Sequence, residues 1–369
     1  MRNFFLLFVT LLCAPVRAST DTTFYIVDVG HGNAAFVVSP SGEVMLLDAG
    51  PTMAADRIIS FTKQNNIPKI DYLVVSHFEN DHMMAAPKLS EQVPIVNWVD
   101  HGQTVTYNKS DEWWTERRSF GRGPRPGMEK RNNDEWDTFR AAREKGHHIT
   151  VKPGDKVPVR GLDVTVLSGA GKVISKPLKG AGLPNPACEG IDKRGDDDAE
   201  DGQSVGVLVT YGKFRFIYLG DLTWNTANSL FCPSNKVGTV DAYLITHHAQ
   251  SMKKELGDYA YGLSCCSAAE VRGLHPRVAI LSMGGGGHQN GTSAAMDVVH
   301  ASPGLEDLWQ TEKVTSGGEM TTNPPDDFIA NIGKRGDQVP YIKIVAHADG
   351  SFSVINSRNQ FTKQYAAHK

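Results

Sequence analysis

The strongest constraint on this chain is a pattern that its sequence states twice. In the first half, "TFYIVDVGHGNAAFVVSPSGEVMLLDAG" alternates β-rich runs about a "PSG" turn and reaches Asp48 at a strand end. A helical stretch over residues 53–65 follows, and then "DYLVVSH", which ends on His77. In the second half, "SVGVLVTYGKFRFIYLGD" sets two β-rich runs about "YGK" and ends at Asp221. After another intervening segment, "DAYLITH" ends on His247. Each half is a hairpin, an aspartate at a strand end, a crossover, a buried strand and a histidine. Continuous apolar strands reached through crossovers imply sheets covered by helices. Polar residues at the carboxyl ends of such strands face a common crevice where ligands bind. The expected fold is therefore α/β: two sheets face to face, helices outside, and one cleft along a shared edge.

The remaining segments are read around these halves. Residues 101–136, 172–202 and 249–275 are rich in glycine, proline and charge. They are too long for plain connections and are expected to be insertions or active-site loops. "DTFRAAREKG" reads as a helix, "HITVKPGDKVPVRGLDVTVLS" as strand–turn–strand, and "YIKIVAHADGSFSVIN" as a closing hairpin with an Asp-Gly turn. No domain boundary is evident, so residues 19–369 are expected to form a single domain. Arg2, the apolar run "FFLLFVTLL" and the small residues near Ala18 are the parts of a secretory signal peptide. The run is too short for a stable membrane span. Residues 1–18 are thus expected to be removed and the mature protein, starting near Ser19, to be exported, periplasmic or secreted.

Beyond that leader the cysteines are Cys188, Cys232, Cys265 and Cys266. In an oxidising compartment they allow up to two disulfides. A bridge between the adjacent Cys265 and Cys266 would close a strained ring, so more distant partners are expected. No CxxC spacing occurs, which argues against a cysteine zinc site. The net charge of −3 gives no general attraction to nucleic acid or anionic membrane. A local patch is conceivable: "TERRSFGRGPRPGMEKR" (115–131), after Trp113 and Trp114, is basic, as a phosphate-backbone groove with stacking aromatics would be. The alternative is a solvated loop beside Asp111 and Glu112. The run "DDDAED" (196–201) lacks EF-hand spacing and is expected to be a solvated loop.

The chemistry concentrates in "HFENDH". His77, Glu79, Asp81 and His82 are four candidate ligands within six residues, on a loop leaving a buried strand. Imidazole nitrogen and carboxylate oxygen suit Zn²⁺, Mn²⁺ or Fe²⁺. Asp221 and His247, at the matching strand ends, would complete a pair of sites, and a carboxylate such as Asp221 can bridge two cations. Asp48 in "LLDAG" is expected to orient a neighbouring histidine or loop rather than to bind metal.

The motifs "DVGHGNAAFVV", "LLDAG", "LVVSHFENDHMMAA", "FIYLGD" and "LITHHAQS" together resemble those of the metallo-β-lactamase-fold superfamily. Within it they look most like the hydrolase domain of ComEC-type competence proteins. The likeness spans most of residues 23 to 290 and leaves the insertions unaccounted for. It implies a four-layer αββα sandwich with one or two divalent metals in the cleft. By position, His77 and Glu79 would serve one metal, Asp81, His82 and His247 the other, with Asp221 between them. Glu79 stands where most members have histidine and where the ComEC-like branch has an acid. Most members also place a histidine on the strand before "GD"; here Gln203 is the nearest polar residue. The loop that usually carries "GHP" reads "GGGGHQNGTS", which makes His288 a candidate substrate-side residue.

These ligands imply hydrolysis by a metal-activated water. Asp81 would orient the nucleophile or accept its proton, and His248 would contact substrate or protonate the leaving group. The favoured substrates are phosphodiesters, nucleic acid among them, on family analogy. Two alternatives stay open: a β-lactamase- or lactonase-type hydrolase of cyclic amides or esters, and a non-catalytic binding protein that kept the fold. Oligomeric state is not legible.

Overall fold

The computed structural model describes residues 20–119, 123–283, 291–314, 323–333 and 338–368. Two large sheets form its centre. The first runs, in spatial order, Thr362–Tyr365, Phe352–Asn356, Tyr341–Ala346, Thr22–Val27, Ala35–Val38, Val44–Leu47, Ile70–Val74, Ile95–Asp100 and His147–Thr150. The second runs Ile329–Asn331, Asp307–Glu312, Val278–Leu281, Ala242–Leu244, Phe214–Tyr218, Val207–Tyr211, Asp163–Val166 and Lys156–Val157.

The repeated sequence pattern becomes the matching halves of these sheets. Strands Ala35–Val38 and Val44–Leu47 form an antiparallel hairpin, and the second pairs parallel with Ile70–Val74, Met45 opposite Tyr72. Likewise Val207–Tyr211 and Phe214–Tyr218 form a hairpin, and the second pairs parallel with Ala242–Leu244, Phe216 opposite Ala242. Each strand alternates its side chains between two faces. Met45 and Leu47 point into the space between the sheets, while Val44 and Leu46 point to the outer layer. Both faces are therefore apolar, which explains why these strands read as unbroken hydrophobic runs.

The inter-sheet core joins Phe24, Ile26, Leu47 and Val74 of the first sheet to Phe214, Phe216, Tyr218 and Leu244 of the second. Outside the first sheet lie the helices Ala55–Gln64, Ala86–Ser90 and Met128–Arg143, contributing Ile58, Phe61, Leu89 and Phe139. Outside the second lie Trp224–Phe231, Ala268–Leu274 and Ser293–His300, with Leu230, Val271 and Val299. The helix Ala55–Gln64 buries Ala55, Ile58, Ile59 and Thr62, the i, i+3, i+4, i+7 stripe of a one-sided helix. The order of layers is helix, sheet, sheet, helix, and the expected αββα sandwich is the fold observed. Among the described residues no helix is long and apolar enough to cross a membrane. The leader residues 1–18 lie outside those described.

Two expectations are corrected. The "HITVKPGDKVPVRGLDVTVLS" segment is not one local hairpin: His147–Thr150 ends the first sheet, parallel to Ile95–Asp100, and Asp163–Val166 belongs to the second. The proline- and glycine-rich stretch between them lets the chain cross from sheet to sheet. The cysteines pair as Cys188–Cys232, Cα atoms 5.7 Å apart, and as the adjacent Cys265–Cys266. The first bridge brings the 172–202 insertion onto the end of the helix Trp224–Phe231, which leaves the neighbours only each other.

Candidate metal centre

Strand ends from both sheets meet along one edge. Asp48 follows Val44–Leu47, and His77 stands three residues past Val74. Asp81 and His82 lie on the short helix Asn80–Met83. From the second sheet come Asp221, three residues past Tyr218, and His247 and His248 after Ala242–Leu244. Two glycines allow the close approach. A Cβ on Gly32 would stand 2.0 Å from the Asp81 carbonyl oxygen, and one on Gly220 2.6 Å from Ser76 Cβ. Both glycines also adopt positive φ, which L side chains rarely tolerate.

Asp81, His82, Asp221 and His248 form one group of converging donor atoms. His82 Nε2 lies 3.4 Å from Asp81 Oδ2 and 3.3 Å from Asp221 Oδ2. His248 Nε2 lies 3.6 Å from Asp81 Oδ2, 3.5 Å from Asp221 Oδ2 and 3.4 Å from His82 Nε2. Donors held about 2.1 Å from a tetrahedral centre stand roughly 3.4 Å from one another, so these residues fit a zinc-sized cation. Asp221 Oδ1 is buried with no hydrogen-bond partner, a carboxylate oxygen of the kind a cation would satisfy.

Each ring is fixed from behind. His82 Nδ1 lies 2.5 Å from Asp48 Oδ2. Asp48 also accepts from the Ser76 amide at 2.6 Å, the Ser76 hydroxyl at 2.7 Å and the Tyr218 hydroxyl. His248 Nδ1 donates to the Ser282 carbonyl at 2.9 Å, so its Nε2 faces the cluster. The structure thus places Asp48 behind a ligand-type histidine, outside the cluster itself.

His77, Glu79 and Asp201 form a second group. His77 Nε2 lies 3.6 Å from Asp201 Oδ1 and has no hydrogen-bond partner, while its Nδ1 is 2.9 Å from the Ser76 hydroxyl. Burial, helped by the neighbouring His82, lowers the His77 pKa from 6.5 to about 4, so this ring is neutral at pH 7. Burial disfavours charge on Asp201, but Arg118, His247 and His77 outweigh it and hold its carboxyl below the usual range. Asp221 lies between the groups, with His247 Nε2 3.5 Å from its Oδ2.

Two sequence expectations are revised here. His248 is the histidine that groups with Asp81 and His82, while His247 stands between the two groups, its Nε2 3.5 Å from Asp221 Oδ2 and 3.9 Å from Asp201 Oδ2. The cause is a left-handed backbone at His247, His248 and Ala249, with φ of 46°, 49° and 56°, which separates the adjacent rings. Gln203, the polar residue nearest the place of the absent strand histidine, donates its amide to the Ala199 carbonyl, and Asp201 is the residue that groups with His77 and Glu79. The run 196–201 is not a solvated loop. Asp198 pairs with Arg117, and buried Glu200 accepts from the amides of Phe78 and Val105. His288 lies outside the described residues.

Reasoning from sequence missed Asp201 and His31. His31 Nε2 lies 3.1 Å from Asp81 Oδ2, with its side chain 31% exposed. The "GHG" triplet was the available signal for His31, and the position of "DDDAED" just before a hairpin strand was the signal for Asp201.

Residues 27–183 match the sequence profile of the family described as the metallo-beta-lactamase superfamily. No curated protein matches the chain. Among solved structures it is similar to a variant of CmlA β-hydroxylase, at 15% identity and TM-score 0.42, over 79% of this chain and 52% of that one. It is also similar to Zn²⁺-bound PqqB from Methylobacterium extorquens, at 15% identity and TM-score 0.41, over 71% of this chain and 89% of PqqB. A third is MEM-A1, a subclass B3 metallo-beta-lactamase from a soil metagenome library, at 14% identity and TM-score 0.36, over 70% and 76% of the two chains. The chain thus spans about half the length of the CmlA variant.

Proposed function

We propose that this domain is an exported metal-dependent hydrolase acting on small phosphodiesters. The observation that carries the hydrolase reading is the convergence of Asp81, His82, Asp221 and His248 on one point, each histidine fixed through its other nitrogen. A divalent cation there, zinc fitting the nitrogen and oxygen donors best with manganese or iron as alternatives, would polarise a substrate oxygen and lower the pKa of a coordinated water to roughly 7. Asp81 is the most open of the four, its side chain 16% exposed, and is placed to orient the attacking group. His31, beside it and open to solvent, is placed to hold a proton for the leaving group.

The phosphodiester class rests on the ComEC-like motif series. Its restriction to small substrates is supported by the insertion 115–131, whose described basic residues turn to internal partners. Arg117 meets Asp198, Arg118 meets Glu79 and Asp201, Lys130 meets Asp134 and Arg131 meets Glu135. Arg117 and Arg118 are thereby held on acidic residues of the fold and not offered to a nucleic-acid backbone. The Cys188–Cys232 bridge supports export to an oxidising compartment.

The test is hydrolysis of bis(p-nitrophenyl) phosphate, nitrocefin and a simple lactone by the Zn²⁺- or Mn²⁺-loaded protein. The phosphodiester should be cleaved fastest, and Asp81→Ala should abolish turnover while leaving the folded state intact. Preference for nitrocefin or the lactone would reassign the substrate class. A protein inert towards all three with either metal would overturn the hydrolase reading.

A further inference from the structure

The second donor group is already occupied by a cation belonging to the chain. Arg118 ends the helix Asp111–Arg118 of the first long insertion, and its side chain is only 11% exposed. Its Nη2 lies 2.5 Å from Glu79 Oε1 and 3.0 Å from Asp201 Oδ1, the two carboxylates of that group. A metal seated among His77, Glu79 and Asp201 would have to share both carboxylates with the guanidinium, which leaves it Asp201 Oδ2, buried and without a hydrogen-bond partner, and sets a fixed positive charge beside it.

The guanidinium is held in place by its own helix. Ser110 caps that helix, accepting from the Trp113 amide at 3.3 Å. Arg117, the preceding residue, makes a two-pronged pair with Asp198, at 3.0 and 3.2 Å. The Arg117 guanidinium also lies over the rings of Trp113 and Tyr259, 5.6 and 5.2 Å from their centroids. Tyr259 donates to Asp197 at 2.8 Å, which ties the third long insertion to the same acidic run. Arg125 reaches back to the Arg118 carbonyl at 3.2 Å. The basic and acidic insertions therefore interlock, and the lock delivers one fixed positive charge into the cleft. A guanidinium does not lose its proton in proteins, so it cannot yield to a metal by neutralising, as a histidine can.

We propose that Arg118 stands in for the second cation, so that the cleft takes one metal ion tightly and accepts another only when this side chain is removed. The proposal rests on the metal-centre reading above, and the two can fail separately.

The experiment is metal binding by the full chain, with Zn²⁺ as probe, measured by equilibrium dialysis and elemental analysis and independent of turnover. The wild type should bind one ion tightly and a second about 100-fold or more weakly, since the second must share its carboxylates with the guanidinium and lie against that fixed charge. Arg118→Gln should bind two ions, the second tightened by about that factor, whereas Arg118→Lys, which keeps a cation, should stay at one. Two ions of comparable affinity in the wild type, or a folded Arg118→Gln that still binds one, would overturn the proposal and leave the metal centre standing. No tight ion in the wild type would overturn both. Should Arg118→Gln fail to fold, the wild-type titration decides alone: one tight ion supports the proposal and two refute it.

Discussion

Protons hold the first donor group together in the metal-free chain, and metal must displace them. Burial opposes charge on His248, but Asp221, with hydrogen bonds to Asp221 and Asp81, outweighs it and pushes the pKa up from 6.5 to about 10. Burial opposes charge on His82 as well, and Asp221, Asp81 and Asp48 raise its pKa well above the ordinary value. Against their own burial, Asp81 and Asp221 are held well below the carboxylate range, chiefly by His82. A cation bound at both Nε2 atoms excludes those protons, so apparent affinity must rise with pH. For His248 alone, pH 7 lies about three units below its pKa, which weakens binding by about 1,000-fold, or ~4 kcal/mol. Raising the pH from 6 to 8 should recover about 100-fold on account of this residue, and His82 adds to it. The logarithm of affinity plotted against pH should have a slope between about one and two. Competition with a chromophoric chelator, corrected for the chelator's own protonation, measures that slope. The same shift stabilises the metal-free fold: the contribution is complete below pH 6.5 and is lost as pH rises towards about 10. A slope near zero would refute the protonated-cluster account, and so would a metal-free melting temperature that fails to fall over that upper range.

Two further predictions concern the supports of the site. Asp48→Asn should lower Zn²⁺ affinity by about 10–100-fold, because Asp48 orients His82, and should destabilise the fold because Ser76, Tyr218 and His82 all bond to its carboxylate; dialysis and thermal unfolding read the two effects. Cys188→Ser opens a loop spanning a separation of 44 residues, and chain entropy sets its cost at about 4 kcal/mol, to be read by denaturant unfolding of the oxidised proteins.

The sandwich and most of the residues that meet at its cleft were legible because they are local properties. A buried strand shows itself in a few consecutive apolar residues, and the residues just past its end stand at the cleft. Asp48, His77, Asp81, His82 and Asp221 were found in this way. The choice between His247 and His248 was not, because the sign of φ at two residues decides it and their composition does not. The split of the 147–166 segment between two sheets escaped for a similar reason: short β-rich runs do not say which neighbours they will meet.

The sequence by itself determined two matching half-sheets, their polar strand ends and a cleft rich in histidine and carboxylate. Only the tertiary structure decided what the insertions do. Arg118 and Asp201 stand 83 positions apart in the chain, and their runs, read separately, look like charged loops in water. Ion pairs carry no periodicity, so only the fold, by bringing the runs together at the cleft, could turn two solvated-looking segments into one buried clamp beside "HFENDH".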